Sequence, residues 1–331
     1  MPWDRWAGVD KRHLSPDARR MLTLAGMTWP FDLAAKRLKE LCHLQTSDDT
    51  IERVCQEEGQ RAAGFIKQAD APARAFAAAD GHAEFYSDGV KVNTVDGWRE
   101  MRLSVFARRE AGQAVGPDQW KERILPEPTA RVAWCAIGPS HCVGSTWQQM
   151  AKHLGLEGRG KLSVLADGAR WIWDEAAKRF KFIVNVDWCV DVFHVSEHLH
   201  ACAKAIFGEG PAARQWADQR LGQLIELEGP RFIERLQEES GTLDDESSRQ
   251  ALAKLCGYLE ENRDGLWYRT RLEQGLAIGS GLIEGACKTA IGARLKINSA
   301  RWRVRRCERI GALRCLDYSG QWDNFWVADA A

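Results

Sequence analysis

The sequence lacks three features that would place it in a familiar class. Its ten cysteines form no Cys-x-x-Cys pair, which excludes a zinc ribbon and favours reduced thiols over a disulfide framework. Its 46 basic and 46 acidic residues cancel, so net charge gives no argument for a nucleic-acid partner. The longest stretch without Asp, Glu, Lys or Arg, which includes residues 132–150 and ends before Lys152, contains Gly138, Pro139 and His141 and does not resemble a membrane span.

A secretory signal peptide is not predicted either. Asp4, Arg5, Asp10 and Lys11 stand where such a peptide needs an apolar run. We therefore expect a cytoplasmic protein with no membrane partner. Its 331 residues, 45% of them apolar, are enough for a large core and one to three domains.

The first eighty residues have helical patterns and no strand. Ser15, followed by Pro16, is a typical helix start, a second helix is predicted after Pro30, and Ser47 or Asp48 is suited to cap a third. We predict an N-terminal helical region over residues 1–80. A helix-turn-helix there would bind DNA, whereas plain bundle packing is the more frequent use of such helices.

From His82 the periodicity changes to two residues. Residues 83–93 and 101–106, around a turn at Asp96-Gly97, predict a β-hairpin. Further strands are predicted at 132–137, at 162–166 and between 182 and 193, with helices at 145–156 and 171–180. This order, β-β-β-α-β-α-β-α, predicts an α/β fold with a mixed sheet and helices on its faces.

Residues 195–275 contain no strand pattern, and a helix is predicted from Leu282 to about Ile297. We therefore predict an all-α insertion over 195–275, placed before a late helix that returns to the sheet.

Three carboxylates occupy the positions where this arrangement could use them. Asp88 lies within or at the end of the first strand, Asp167 ends the fourth, and Glu284 lies in the first turn of the late helix. If the first and fourth strands are neighbours, two carboxylates meet at one sheet edge and the helix can add the third. Such oxygen ligands suit two Mg²⁺ or Mn²⁺ ions, which can cleave or exchange a phosphodiester. Taken singly, each acid is better explained as a turn residue, a helix cap or a complement to a helix dipole.

A family resemblance strengthens this interpretation. It is carried by these segments: Ser87-Asp88-Gly89 with Gly97-Trp98-Arg99-Glu100; Leu165-Ala166-Asp167-Gly168-Ala169-Arg170-Trp171-Ile172-Trp173; Asp191-Val192-Phe193-His194-Val195-Ser196-Glu197-His198-Leu199; Ile278-Gly279-Ser280-Gly281-Leu282-Ile283-Glu284-Gly285-Ala286-Cys287-Lys288; Arg301-Trp302; and Gly320-Gln321-Trp322-Asp323-Asn324-Phe325-Trp326. In this order, from about residue 7 to 326, the chain resembles the ISKra-type insertion-sequence transposases, which belong with the Mutator-like DDE enzymes.

The resemblance implies an RNase H-like catalytic domain, formed by residues 81–194 and 276–300, and a basic C-terminal tail region over 301–331. It implies that Asp88, Asp167 and Glu284 are the catalytic and metal-binding triad, with Asp191 and His194 as auxiliary residues of an Asp-x-x-His motif. The implied activity is phosphodiester hydrolysis and DNA strand transfer with two Mg²⁺ or Mn²⁺ ions. The implied partners are the double-stranded terminal repeats and target DNA, bound by a homo-oligomer associated with the nucleoid.

The chain departs from the family at its N-terminus. Relatives commonly carry a cysteine-rich, zinc-binding segment ahead of the region resembling Trp6 to Pro16, and no cysteine precedes Cys42 here. We expect a truncated copy or a shorter variant.

The basic residues concentrate near the C-terminus. Between residues 288 and 314 there are nine Lys or Arg residues and one acidic residue, Glu308. Clustered cations are suited to phosphate contact, and the indole between Arg301 and Arg303 is suited to stacking on a base. The predicted DNA-binding residues are Lys288, Arg294, Lys296, Arg301, Trp302, Arg303, Arg305 and Arg306. A solvated amphipathic helix is the alternative.

Other functional classes remain open. His194, Glu197 and His198 fit H-x-x-E-H, a zinc-metalloprotease pattern that needs a further ligand such as Glu260 or Glu261. A zinc site could instead use Cys189, His194, His198, His200 and Cys202, although their spacing matches no common pattern. The third alternative is a catalytically silent or domesticated DNA-binding relative.

Overall fold

The described residues of the N-terminal part form a layer of four helices. A computed structural model describes residues 9, 14–158, 160–240, 245–297 and 299–327. The helices are α1 (Pro16–Thr28), α2 (Phe31–Cys42), α3 (Asp48–Gln68) and α4 (Asp70–Ala78). Ser15 and Ser47 cap α1 and α3 by accepting the backbone N–H of Ala18 and of Thr50. These four helices lie within the region 1–80 for which helices were predicted.

One five-stranded mixed sheet forms the centre. Its strands are β1 (His82–Thr94), β2 (Gly97–Arg109), β3 (Ala130–Ala136), β4 (Lys161–Ala166) and β5 (Asn185–Val190), in the spatial order β3-β2-β1-β4-β5. The first three strands are antiparallel, and β4 and β5 run parallel to β1. This is the predicted mixed α/β fold, and its layout is consistent with an RNase H-like sheet.

The two sheet faces carry different packing. On one face, Phe85 and Trp147 pack with ring centroids 4.9 Å apart, below the helices α5 (Ser140–His153) and α6 (Arg170–Arg179). On the other face lies α13 (Val304–Tyr318), which also packs against α3. Gly311 lets α13 approach closely, because a Cβ atom there would lie 2.6 Å from the Cys135 sulfur. Residues 304–318 therefore belong to the folded core and not to the basic tail expected over 301–331.

After β5 the described residues form four helices, which cover the region of the predicted insertion over 195–275. They are α7 (Val192–Phe207), α8 (Pro211–Ser240), which is kinked at Glu228, α9 (Glu246–Glu261) and α10 (Tyr268–Glu273). Buried leucines hold them together, including Leu224, Leu252 and Leu259.

The late helix is built of three consecutive parts. α11 (Gly281–Ala286) continues into a π-helical turn, Cys287–Gly292, and ends in α12 (Ala293–Leu295). The chain closes with α14 (Trp322–Val327). In the part of the chain that the structure describes, no helix combines the length and apolarity needed to span a membrane.

Candidate active site

Two of the three predicted acids lie on neighbouring strands. In the β1–β4 pair, Ala83 stands opposite Leu162 and Tyr86 opposite Leu165. Extending this register by two residues brings Asp167, which follows β4, beside Asp88 in the middle of β1. Gly168 turns the chain away at once, with a positive φ of 85° that favours glycine.

The surroundings of Asp88 disfavour its charge. The side chain is half-buried, and burial is the main reason that its pKa is raised, with the negative charge of Asp167 adding to the effect. Hydrogen bonds from the Gly89 N–H, at 2.6 Å, and the Cys287 thiol, at 3.6 Å, only partly oppose this rise in pKa. Among the described residues, neither Asp88 nor Asp167 forms an ion pair with a lysine or arginine. The pair therefore presents carboxylate oxygens that no lysine or arginine among the described residues neutralises.

The third acid lies beside this pair without joining it. Glu284 is exposed and its carboxylate is 3.7 Å from the ammonium group of Lys288. Cys287, one turn further along the helix, is the residue that reaches Asp88, and the carboxylates of Asp88 and Glu284 both raise the pKa of its buried thiol. Within the described ranges, no three His, Cys, Asp or Glu side chains form a group arranged to hold a metal ion. The structure thus brings Asp88 and Asp167 together and leaves Glu284 at the rim.

Asp191 has a structural role that its position explains. It is buried, accepts the N–H of Phe193 at 2.7 Å and the N–H of Ser280 at 2.9 Å, and also bonds the Ser280 hydroxyl. These contacts cap α7 and tie the end of β5 to the residue before α11. Asp191 therefore positions the helix that carries Glu284.

His194 faces the predicted site. Its Nε2 atom lies 4.0 Å from Asp167 Oδ2 and 4.0 Å from Glu197 Oε2, and its side chain is 41% exposed. A partly exposed imidazole beside a carboxylate is able to hold a phosphate when protonated.

The arrangement does not support the zinc-based alternatives. The His198 ring stacks on Tyr258 with centroids 3.6 Å apart, and Cys189 and Cys202 are buried in the core. Neither the H-x-x-E-H pattern nor the Cys/His set forms a group of three potential metal ligands among the described side chains.

Two of the predicted DNA-binding side chains are core residues, so their prediction is wrong. Arg294 is 3% exposed, donates to the Gly26 carbonyl oxygen and packs on Phe31 and Trp302. Trp302 is 8% exposed, and its indole N–H donates to the Leu295 carbonyl oxygen at 3.1 Å. A guanidinium and an indole buried in this way cannot reach a DNA strand.

The remaining basic residues differ in what they contact. Arg306 pairs with Glu52 at 2.6 Å, and Lys288 pairs with Glu284. Arg303 and Arg305 are exposed and have no ion pair with a described residue, and Lys296 and Arg301 are also exposed. These four cations are available to a phosphate backbone.

Sequence reasoning missed two side chains at the site. Cys287 contacts Asp88, and Tyr258 of α9 has its pKa raised by burial and by the nearby charges of Asp167 and Asp191. Cys287 had a signal, since it stands one helical turn after Glu284. Tyr258 had none, because only the packing of the insertion brings it to the sheet.

Comparison of the chain with protein-family models and with curated proteins found no match.

Proposed function

We propose that the protein is a DDE-type transposase that cleaves DNA and transfers the freed strand. The observation that supports this most is the Asp88–Asp167 pair, held on adjacent parallel strands, poorly neutralised and open to a charged ligand. The sequence resemblance to the ISKra-type transposases supports the same conclusion.

The donor set at the pair fits a hard divalent cation. Asp88 and Asp167 offer carboxylate oxygens in a half-buried site where an added positive charge would relieve their repulsion. Glu284 would add a third carboxylate to the two aspartates by leaving its ion pair with Lys288 and binding the cation instead. When bound, two Mg²⁺ or Mn²⁺ ions supply the charge that activates water and stabilises the leaving oxygen.

The side chains of this chain position the reaction. Asp191 fixes the start of the helix bearing Glu284, and the Cys287 thiol orients one Asp88 oxygen. Protonated His194 would hold a phosphate beside Asp167. In hydrolysis, a water oxygen bonds to phosphorus, the bond to the 3′ oxygen breaks, and that oxygen takes a proton. In transfer, the 3′ hydroxyl attacks a target phosphodiester in the same way, so ATP is not required.

The test is nicking of duplex DNA in Mg²⁺, in Mn²⁺ and in EDTA. We expect metal-dependent nicking that Asp167→Asn abolishes, because the amide removes a charged ligand and keeps the shape. Asp218→Asn, on the exposed surface of α8, is the matched control and should nick like the parent.

Metal binding can be measured without catalysis. At one hundred times its dissociation constant, Mn²⁺ should stabilise the fold by about 2.7 kcal/mol, and Asp88→Asn should remove this gain. Metal-independent nicking, or full nicking by Asp167→Asn, would contradict the proposal.

A catalytically silent DNA-binding relative is the second candidate. The observation in its favour is that Glu284 pairs with Lys288 and stands apart from the two aspartates. Duplex binding without nicking in either metal would support it.

A further inference from the structure

The far end of the β1–β2 hairpin is open to solvent, and the proposed function gives it no role. Residues 95–100 are all exposed, and Trp98 is 65% exposed, close to the exposed Val95 of the turn. Trp98 stands opposite Asn93 in the hairpin register, five residues beyond Asp88. At about 3.3 Å per residue, Trp98 is therefore roughly 16 Å along the strand from the proposed site.

A short segment around Trp302 pairs with this end of β1. Trp302 is the parallel partner of Thr94: its N–H donates to the Asn93 carbonyl oxygen at 3.0 Å, and its carbonyl oxygen accepts the Val95 N–H at 2.9 Å. The segment lies on the edge of β1 that β4 covers further back, where Tyr86 is paired with Leu165. It therefore widens the end of the hairpin by one short strand.

The exposed face of this widened end carries cations. Side chains alternate along a strand, so Arg301 and Arg303 are turned away from the face in which Trp302 is buried. The backbone of Arg303 is extended, with φ −73° and ψ 132°, as this alternation requires. Lys91 and Trp98 share the same face, by the alternation of β1 and its register with β2. We call the surface formed by Lys91, Trp98, Arg301 and Arg303 the hairpin face.

The acids nearby do not neutralise the hairpin face. Its three cations are exposed, and none of them forms an ion pair with a described residue. The Glu100 carboxylate is bound by the Arg102 guanidinium at 3.1 Å, and Asp96 is an exposed acid in the turn. Three cations against one free carboxylate leave the face positive, which favours an anionic partner.

An exposed indole among cations suits a nucleic-acid strand whose bases are unpaired. The cations can contact phosphates, and the indole offers its π face to a base. A duplex offers a side chain the edges of its bases and keeps their faces stacked on one another. A protein partner fits less well, because the apolar part of the surface is confined to Trp98 and Val95, whereas interface cores are larger and poor in charge.

We infer that the hairpin face binds a single strand of DNA that continues beyond the two aspartates, away from the phosphodiester held there. The inference rests on the proposed function, since it is the cleaved DNA that would supply the unpaired strand. One base of that strand would stack on Trp98, and the three cations would contact its phosphates.

The test measures the affinity for a short labelled oligodeoxythymidine by fluorescence anisotropy in EDTA, so that no strand is cut. We expect Trp98→Ala to weaken binding about tenfold, the size of one base–aromatic stack, and to leave the salt dependence unchanged because no charge is removed. Trp98→Phe, which keeps an aromatic ring, should retain most of the affinity. Lys91→Gln combined with Arg301→Gln should lower the slope of log affinity against log salt by about 1.4, near 0.7 per phosphate contact.

Each change has a matched control. Trp267→Ala removes a tryptophan that is 39% exposed in the helical insertion, and it should bind the oligonucleotide like the parent. Arg99→Gln removes an exposed cation from the same hairpin, but Arg99 stands opposite Val92 on the other face, so the salt slope should stay unchanged.

The outcomes separate this inference from the proposed function. Unchanged affinity in Trp98→Ala, or tighter binding of an RNA of the same sequence than of the DNA, would overturn the inference. Metal-dependent nicking of a duplex without Trp98-dependent binding of the single strand would leave the proposed function standing and reject the hairpin face. Trp98-dependent binding without nicking would keep the face as a DNA-binding surface and reject the cleavage.

Discussion

Two carboxylates on the same face of β1 meet opposite surroundings. Glu84 is 2% exposed and its Oε2 atom accepts from the Arg109 guanidinium at 3.0 Å and from the Tyr86 hydroxyl at 2.9 Å. Asp88, four residues further on, faces another carboxylate and a thiol and has no basic partner among the described side chains.

The two acids therefore suit different roles: the Glu84 pair stabilises the fold, and Asp88 suits the proposed site. At Glu84 the protein neutralises its own buried charge, so that part of the sheet is complete in the folded chain. At Asp88 no lysine or arginine among the described residues does so, an arrangement that suits the cation proposed above. Charge that a fold leaves unbalanced is thus the better guide to the site.

The contrast between Glu84 and Asp88 predicts its largest effect for a change at Arg109. Arg109→Met should lower the free energy of unfolding by about 3–5 kcal/mol, because it leaves the buried Glu84 carboxylate without its cation. Urea unfolding measures the change. Arg131→Met is the control: its partner Glu127 is exposed, so it should cost less than about 1 kcal/mol. Equal losses would show that burial of the Glu84 pair matters little.

A smaller effect of opposite sign is expected at Asp88. Burial raises its pKa above the ordinary 3.8, so between the ordinary and the raised value the native state holds a proton that the unfolded state has released. Native stability therefore falls as pH rises from the ordinary value through the raised one. Asp88→Asn lacks this loss and should be more stable than the parent by about 1 kcal/mol at neutral pH, with the gain shrinking in acid.

Urea unfolding across this pH range measures the gain, and Glu84→Gln is the matched control on the same strand. Glu84→Gln should destabilise the protein, since it weakens the pair with Arg109. A destabilised Asp88→Asn variant would contradict the contrast between the two acids.

The same distinction between paired and unpaired charges applies to the arginines near the C-terminus, where the expected effect is the smallest. Arg303 and Arg305 have no ion-pair partner among the described residues, whereas Arg306 is paired with Glu52. Changing Arg303 and Arg305 to Gln should lower the slope of log affinity against log salt by about 2, near 0.9 per phosphate contact. Arg306→Gln should change it little. Fluorescence anisotropy of a labelled duplex at several salt concentrations measures the slopes, and equal slopes for all variants would refute phosphate contact.

The sequence predicted the fold more accurately than it predicted what individual side chains contact. Alternation in β1 and β2 and the apolar run of β4 sufficed for a mixed sheet, because these patterns are local. The pattern Arg301-Trp302-Arg303 suits either DNA stacking or a core. The pairing of Trp302 with Thr94 at the end of β1 and its contact with Phe31 decide for the core. Contacts across such sequence distances leave no signal in one sequence.

The position of Tyr258 could not be predicted for the same reason. Tyr258 belongs to α9, and only the packing of that helix decides which of its faces meets the sheet and brings this residue near Asp167.

The hydrogen bonds that Asp191 accepts from Phe193 and Ser280 also bear on how far the helical insertion can vary. The hydrogen bond from Ser280 joins residues 89 positions apart, so the helical insertion begins and ends at one carboxylate. The entropy lost on closing a loop grows only slowly with its length. An insertion whose two ends are held together in this way can therefore lengthen, shorten or be exchanged at a modest cost in stability. Since α9 places Tyr258 near Asp167, exchanging the insertion would alter the surroundings of that carboxylate while the strands of the sheet stay as they are.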